Sequence, residues 1–253
     1  TGGAVSAGSN AISITANDVV LGSTLSSGGA LTTITDSDST DGVGLGATTV
    51  SNGLNLSGAE LQNITSTGFE IATGGTVTVN GITAANSNNL GGTTTLDATG
   101  IITFATGASI FNTLAVESDG GVAVNIGLST DTGNLTIDGD IDNGTAGTVN
   151  FATGVTVASE GSLTLDGTTG GLVGAGTLDL DAKTGITLND NLTTAGTTDI
   201  NADSDGTGGV GTLTLAAGKT LSTTNNILTI TAEDLDISGT SITSGSAKTT
   251  ITD

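Results

Sequence analysis

Apolar and polar residues alternate in short runs along most of the chain. Each run is about three to five residues long and is flanked by glycine, asparagine, aspartate or serine. Threonine fills many of the polar positions, as expected for a β-branched residue on the solvated face of a strand. Clear runs are Ile12-Ser-Ile14, Leu54-Asn-Leu56, Val77-Thr-Val79, Leu114-Ala-Val116, Leu135-Thr-Ile137, Val149-Asn-Phe151, Leu163-Thr-Leu165, Leu178-Asp-Leu180, Leu213-Thr-Leu215 and Leu228-Thr-Ile230. This period of two predicts many short β-strands, with one short helical candidate from Ser57 to Ile64.

The runs also repeat. The second apolar residue recurs in short, nearly equal steps at Ile137, Phe151, Leu165, Leu180, Ile200, Leu215 and Ile230, and only the step from Leu180 to Ile200 is longer. Because one turn of short strands cannot bury its apolar face, such a repeat is typical of a stacked coil whose neighbouring turns pair in parallel. We predict an all-β solenoid over residues 1–253 as one continuous domain, with roughly 20 to 30 residues per turn and roughly 8 to 12 turns.

Two other all-β folds stay open at this point. A left-handed β-roll, with repeats of about 14 residues, is compatible with the short steps, although the longer step from Leu180 to Ile200 interrupts it. Tandem immunoglobulin-like β-sandwiches fit the length, but they usually carry a tryptophan or tyrosine anchor, and the chain has neither. The four phenylalanines, Phe69, Phe104, Phe111 and Phe151, lie in alternating runs and are predicted to fill the core.

Composition excludes several classes of function. The chain has no histidine and no cysteine, so it lacks the usual ligands of zinc, copper, haem and iron–sulfur clusters. Its 25 acidic and 3 basic residues give a net charge of −22, which opposes nucleic-acid binding. The three bases, Lys183, Lys219 and Lys248, are predicted to be isolated surface charges. No apolar run approaches the roughly 20 residues of a membrane-spanning helix. Absence of methionine and of an amino-terminal signal indicates a mature product or an excised fragment of a larger repetitive protein.

Three aspartate clusters in polar turns are candidates for weak calcium binding, because alternating carboxylates can wrap a hard cation. Each cluster precedes a glycine, but none matches the complete EF-hand loop, and a solvated turn is the simpler interpretation. Both interpretations stay open. The candidate ligands are Asp36, Asp38 and Asp41, then Asp138, Asp140 and Asp142, and finally Asp203 and Asp205. No other cofactor is expected.

Paired carboxylates raise the question of a carbohydrate-active enzyme. Asp179 with Asp181, and Asp234 with Asp236, alternate on predicted strands and therefore share an outer face. Sugar-cleaving grooves usually also stack rings on tryptophan or tyrosine, which are absent here. A charged, solvated strand face is the simpler interpretation, so we expect no enzyme activity and assign no catalytic residue.

Two stretches, 176–190 (GTLDLDAKTGITLND) and 226–238 (NILTITAEDLDIS), resemble the repeat region of filamentous haemagglutinin-like exoproteins of the two-partner secretion type. The segment 61–83 is similar. This resemblance implies a right-handed parallel β-helix, export across the outer membrane, and an adhesive or filamentous role. The family's secretion domain carries Asn-Pro motifs, and this chain has no proline, so it corresponds to repeats rather than to that module.

These observations predict an extracellular protein on a bacterial cell surface. We expect a rod, stalk or filament unit that associates end to end, because open strand edges invite pairing. The alternative is an adhesin whose loop inserts bind a cell-surface glycan or protein.

Overall fold

The computed structural model describes residues 3–144 and 147–253, which form a parallel β-solenoid of about eleven turns. All of its paired strands are parallel and belong to three faces that run along the coil. From Ile64 onward the chain passes through the first, second and third face in that order on each turn, whereas the first turn goes from the second face directly back to the first, and the next turn has two strands on the third face. The described residues contain no antiparallel pairing, so the fold is not a series of β-sandwiches. The right-handed winding of the solenoid stays a prediction.

The first face precedes the second in each turn and is built from a three-stranded and a seven-stranded sheet. A parallel bridge between Ser66 and Leu90 lies between these two sheets along the chain. The strands are β1 (Val5–Ser6), β3 (Leu25–Ser26), β7 (Ile64–Thr65), β12 (Ser109–Phe111), β15 (Leu128–Thr130), β18 (Val155–Ser159), β21 (Leu178–Ala182), β24 (Thr198–Asn201), β27 (Leu228–Thr231) and β30 (Thr249–Thr252).

The second and third faces are ten-stranded sheets. The second contains β2 (Ile12–Ala16), β4 (Leu31–Asp36), β8 (Gly68–Thr73), β10 (Thr93–Ala98), β13 (Thr113–Ser118), β16 (Leu135–Asp138), β19 (Leu163–Asp166), β22 (Ile186–Leu188), β25 (Thr212–Leu215) and β28 (Asp234–Asp236). The third contains β6 (Leu54–Leu56), β5 (Val43–Gly46), β9 (Val77–Asn80), β11 (Ile102–Phe104), β14 (Val122–Val124), β17 (Val149–Phe151), β20 (Leu172–Gly174), β23 (Leu192–Thr194), β26 (Thr220–Ser222) and β29 (Ser241–Thr243), in spatial order.

Strand register corrects our interpretation of the repeat. On the second face, Leu135 pairs with Leu163, and Leu163 pairs with Ile186, so a full turn is much longer than one of the short steps. The short steps therefore connect strands on different faces, as from Ile137 on the second face to Phe151 on the third. These registers do not fit the short repeat of a left-handed β-roll, and most agree with the predicted length of a turn.

One turn is irregular. Thr33 pairs with Glu70 across a separation of 37 residues, because the chain steps back after β5 and places β6 on the side of β5 away from β9. The helix α1 (Gly58–Leu61) follows, within the predicted helical candidate, and its capping box joins Ser57 to Glu60. A second one-turn helix, α2 (Ala84–Ser87), was not predicted and packs against α1 through a hydrogen bond of 3.1 Å from Asn86 Nδ2 to Gly58 O. Among the described residues, no helix is long and apolar enough to cross a membrane.

The core is the continuous interior of the coil. The inward positions of the predicted alternating runs are buried along most of its length, and all four phenylalanines are at most 1% exposed, which confirms their prediction as core residues. On the third face, Phe104 and Phe151 lie in one inward column, separated by Val124. Each turn therefore contributes apolar area that only its neighbours can cover.

Buried hydroxyl groups close several corners of the coil. Ser159 Oγ lies 2.9 Å from Ser162 O and 3.1 Å from Gly133 O, and it accepts the Gly161 N–H at 3.2 Å. The same side-chain contact to a carbonyl three residues later occurs at Ser27, Ser118, Thr130, Thr223 and Ser244. These hydroxyls satisfy carbonyls that a sharp corner removes from the sheet ladders.

Candidate functional site

The first aspartate cluster forms a turn between the second and third faces. Asp36 is 6% exposed, and its carboxylate accepts the Thr73 hydroxyl and the Asp38 N–H, both at 3.2 Å. The Thr40 hydroxyl donates to Asp38 at 2.7 Å, and together with the Thr40 N–H it lowers the pKa of Asp38. Asp41 donates its own N–H to Asp38 O at 3.3 Å. Several of these oxygens are thus engaged in holding the turn.

The second cluster is built around a buried carboxylate. Asp140 is fully buried; its Oδ1 accepts the Gly144 N–H at 3.0 Å, and its Oδ2 accepts the N–H and the hydroxyl of Thr169. The Thr169 hydroxyl makes the largest contribution to lowering the pKa of Asp140. Asp138 and Asp142 accept the N–H groups of Asp140 and Gly144. Asp140 therefore joins the corners of two successive turns.

The third cluster differs because one oxygen has no partner. Asp203 Oδ1 is buried without a hydrogen bond to the described residues. Burial and, after it, the charges of Asp205 and Glu233 raise the pKa of Asp203. The Thr207 hydroxyl donates to Asp205 at 2.7 Å and lowers the pKa of Asp205. Over residues 3–144 and 147–253, no group of three or more acidic side chains has an arrangement that could hold a metal ion. Calcium at the eight aspartates stays a prediction.

A column of outward carboxylates crosses the second face. Strand register places Asp97 beside Glu117, Glu117 beside Asp138, and Asp138 beside Asp166, on four successive turns. We call these four residues the carboxylate ladder. Burial raises the pKa values of Asp97, Glu117 and Asp138, and neighbouring carboxylates raise them further. The ladder was not predicted, because its members lie far apart in the sequence and only the register brings them together.

The predicted outward pairs take the expected orientation. Asp179 and Asp181 lie on the outer face of β21, and Asp234 and Asp236 on that of β28. On the next turn, Asp199 pairs with Asp179. Burial, followed by the charges of Asp179 and Asp199, raises the pKa of Asp181. These residues form a second acidic surface, and the expectation that it catalyses no reaction stays a prediction.

Within residues 3–144 and 147–253, two ion pairs use two of the three lysines, and the carboxylates in them differ in burial. Lys183 pairs with Glu160 at the surface, where the two side chains are 35% and 41% exposed. Lys219 pairs with Asp190 at 2.8 Å, and the Asp190 side chain is only 3% exposed. Both lysines lie at the surface, with side chains 35% and 30% exposed, but the prediction that they are isolated is wrong, because each forms an ion pair. Lys219 lies 29 positions after Asp190, which is about one turn of the coil, and only the strand register reveals that the two residues are close.

The Lys219–Asp190 pair lines a pocket with a volume of about 220 Å³. The pocket lies where the chain passes from the second to the third face on three successive turns. Its other lining residues are Thr168, Thr169, Gly170, Gly171, Leu172, Val173, Asn191 and Thr193.

Comparison with known proteins found no relative of this chain. No family model, no curated protein and no solved structure matches the chain. The fold therefore supports a β-helix repeat protein, whereas the similarity to filamentous haemagglutinin-like repeats stays a proposal.

Proposed function

We propose that the chain is a structural segment of an extracellular bacterial surface protein related to filamentous haemagglutinin-like exoproteins, and that it serves as a rod, stalk or filament unit. The observation that carries the proposal is the set of parallel ladders on all three faces. Backbone hydrogen bonds between turns point along the coil axis, so tension along the axis is shared by three ladders. Ten strands at about 4.8 Å give a rod of roughly 45 Å.

Assembly by strand stacking follows from the edges of the described coil. Among the described residues, β28, β29 and β30 each have a strand neighbour on one side only, as do β1, β2 and β6 at the opposite edge. Ile251 in β30 is 50% exposed. Unpaired strand edges with apolar inner positions favour pairing with another parallel strand. We propose that a second copy stacks end to end on these edges.

Electron microscopy with and without calcium tests this role. The proposal expects rods that lengthen by stacking, and beads on a string would contradict the solenoid itself. Ile251→Lys should shorten the assemblies, because it places a charge in the stacking edge. Ile101→Lys is the matched control, since Ile101 is 48% exposed but lies next to β11, far from either edge. Equal lengths for both variants and the unaltered protein would refute assembly through this edge.

A lateral binding role is the second candidate. An adhesin would use the outer surface of the rod, including loop 203–211, of which residues 204–210 are exposed, to bind a cell-surface glycan or protein. The pocket at Lys219 is the feature that favours this candidate, because it combines buried charge with accessible space.

A further inference from the structure

The pocket beside Lys219 is built from equivalent corners of three successive turns. Residues 168–171 connect β19 to β20, residues 190 and 191 connect β22 to β23, and Lys219 lies between β25 and β26. Leu172 N donates to Asn191 O at 2.8 Å, and Thr220 N donates to Asn191 Oδ1 at 2.8 Å. These bonds fix the three corners relative to one another. The pocket wall is therefore preorganised by the coil and does not depend on a long mobile loop.

The ion pair gives the pocket both a hydrogen-bond acceptor and a donor. Asp190 Oδ1 accepts Lys219 Nζ at 2.8 Å and the Asn191 N–H at 2.6 Å. Both contacts use the same oxygen, so Oδ2 keeps lone pairs for a further donor. The ammonium group of Lys219 has three donors, of which Asp190 takes one. An acceptor and a charged donor thus lie side by side.

The charges select against ionic ligands. An anion would meet Asp190 at the wall and the field of a chain with a net charge of −22. A cation would meet the ammonium group of Lys219. A neutral ligand with neighbouring hydroxyl groups avoids both penalties, because one hydroxyl donates to the carboxylate while its neighbour accepts from the ammonium. The hydroxyls of Thr168 and Thr193 add donors and acceptors at the wall.

The size of the pocket and its apolar wall narrow the class of ligand further. A pocket of about 220 Å³ corresponds to roughly seven water volumes and is smaller than typical drug-sized sites. It fits one sugar ring. Leu172 points into the core, so the apolar part of the wall is Val173, which is 39% exposed and offers a surface to a sugar's C–H face.

We propose that this pocket binds a single neutral sugar residue through a vicinal diol held by Asp190 and Lys219. The inference goes beyond the mechanical role and does not depend on it, since every residue of the pocket lies on the side of the coil rather than at its ends. A rod with this pocket would recognise neutral glycans laterally.

Amide chemical-shift titration of the isotopically labelled protein tests the proposal. The probes are the methyl glycosides of glucose, galactose and mannose, with glucuronate and inorganic phosphate as anionic probes. We expect saturable shifts at Asn191 and Thr193 with at least one neutral glycoside, with a Kd in the millimolar range for so small a site. Lys219→Met should weaken this binding at least tenfold. Lys183→Met is the matched control, because it removes the same charge from an exposed pair away from the pocket, and it should bind normally.

Three results would overturn the proposal: no saturable shift with any neutral glycoside up to about 50 mM, stronger binding of glucuronate or phosphate than of every neutral glycoside, or unchanged affinity in Lys219→Met. If loss of Lys219 alone prevents folding by leaving Asp190 buried and unpaired, the double variant Asp190→Asn/Lys219→Met replaces both charges with neutral groups. That variant should fold and lose sugar binding, and retained affinity would refute the role of the pair. Failure here would leave the end-to-end stacking test unaffected.

Discussion

The carboxylate ladder predicts that removing one negative charge stabilises this protein. In the chosen variant, Glu117→Gln, the side chain keeps its shape and loses its charge between Asp97 and Asp138. The pKa of Glu117 is raised by burial and by both neighbours, so its charged form is disfavoured in the folded state. The resulting loss of stability exists above the raised pKa of Glu117 and disappears as the pH falls through it. Protonation removes the charge, and with it both the cost of burying that charge and the repulsion by its neighbours.

The magnitude follows from the register. Glu117 has one like-charged neighbour on each adjacent turn, at a strand spacing of about 4.8 Å. Directly opposed cross-strand pairs contribute roughly 0.2–1 kcal/mol each. Because these side chains are only partly buried, solvent screening favours the lower part of that range. We therefore expect Glu117→Gln to raise the free energy of unfolding by about 0.5–1 kcal/mol at pH 7.

Urea denaturation followed by circular dichroism measures this change, since urea adds no ionic screening. The increase in the free energy of unfolding should be smaller at about pH 3, below the ordinary carboxyl pKa values, and in about 1 M salt. Glu160→Gln is the control, because Glu160 is a partly exposed carboxylate that pairs with Lys183, so its loss should give no gain. A decrease in stability for Glu117→Gln at pH 7, or a gain that persists unchanged at pH 3, would refute the repulsion argument.

Two further variants test the core and the corners. Leu180→Ala should lower the free energy of unfolding by about 2–5 kcal/mol, because Leu180 is fully buried and the coil is too narrow to refill the space. The control Val173→Ala, on the outer face, should change this free energy by less than about 0.5 kcal/mol. Equal losses in the two variants would contradict the assigned faces. Ser159→Ala should cost about 1–3 kcal/mol by leaving corner groups unpaired, whereas Ser129→Ala on an outer strand face should be nearly neutral. Thermal unfolding of the four variants gives both comparisons, and a neutral Ser159→Ala would show that water replaces the hydroxyl.

The period-two pattern was sufficient to predict the strands and their inward residues. Leu135 and Ile137 are buried as the alternation predicts, and the same holds for Leu178 and Leu180. The assignment of runs to faces failed, because the short steps from Ile137 to Phe151 and on to Leu165 resemble a repeat but cross from one face to another. Alternation reports which side of a strand is buried, and it carries no information about the sheet that contains the strand.

The sequence failed to predict the backward step to β6 and the pocket at Lys219 for the same reason. Leu54-Asn-Leu56 has the alternation of any forward strand, and its place beyond β5 depends on contacts of the first turn, such as Asn55 N with Asp18 Oδ1 at 3.1 Å. Asp190 and Lys219 likewise meet only through the register of neighbouring turns. Local propensity does not encode these juxtapositions, because loop lengths between runs set them.

The position of β6 also determines where the coil can change in length over evolution. From β10 onward, each strand pairs only with strands of the preceding and following turns, so a duplicated or deleted turn leaves the same kind of neighbours in contact. Around β6 the order of the chain and the order in space differ: Asn17 Nδ2 donates to Asn52 O, and Leu21 N donates to Glu60 Oε1. Copying a turn inside this interlocked region would separate these partners, which lie far apart along the chain. We therefore expect length variation by turn duplication to be confined to the region after β10, with the interlocked part fixed in length.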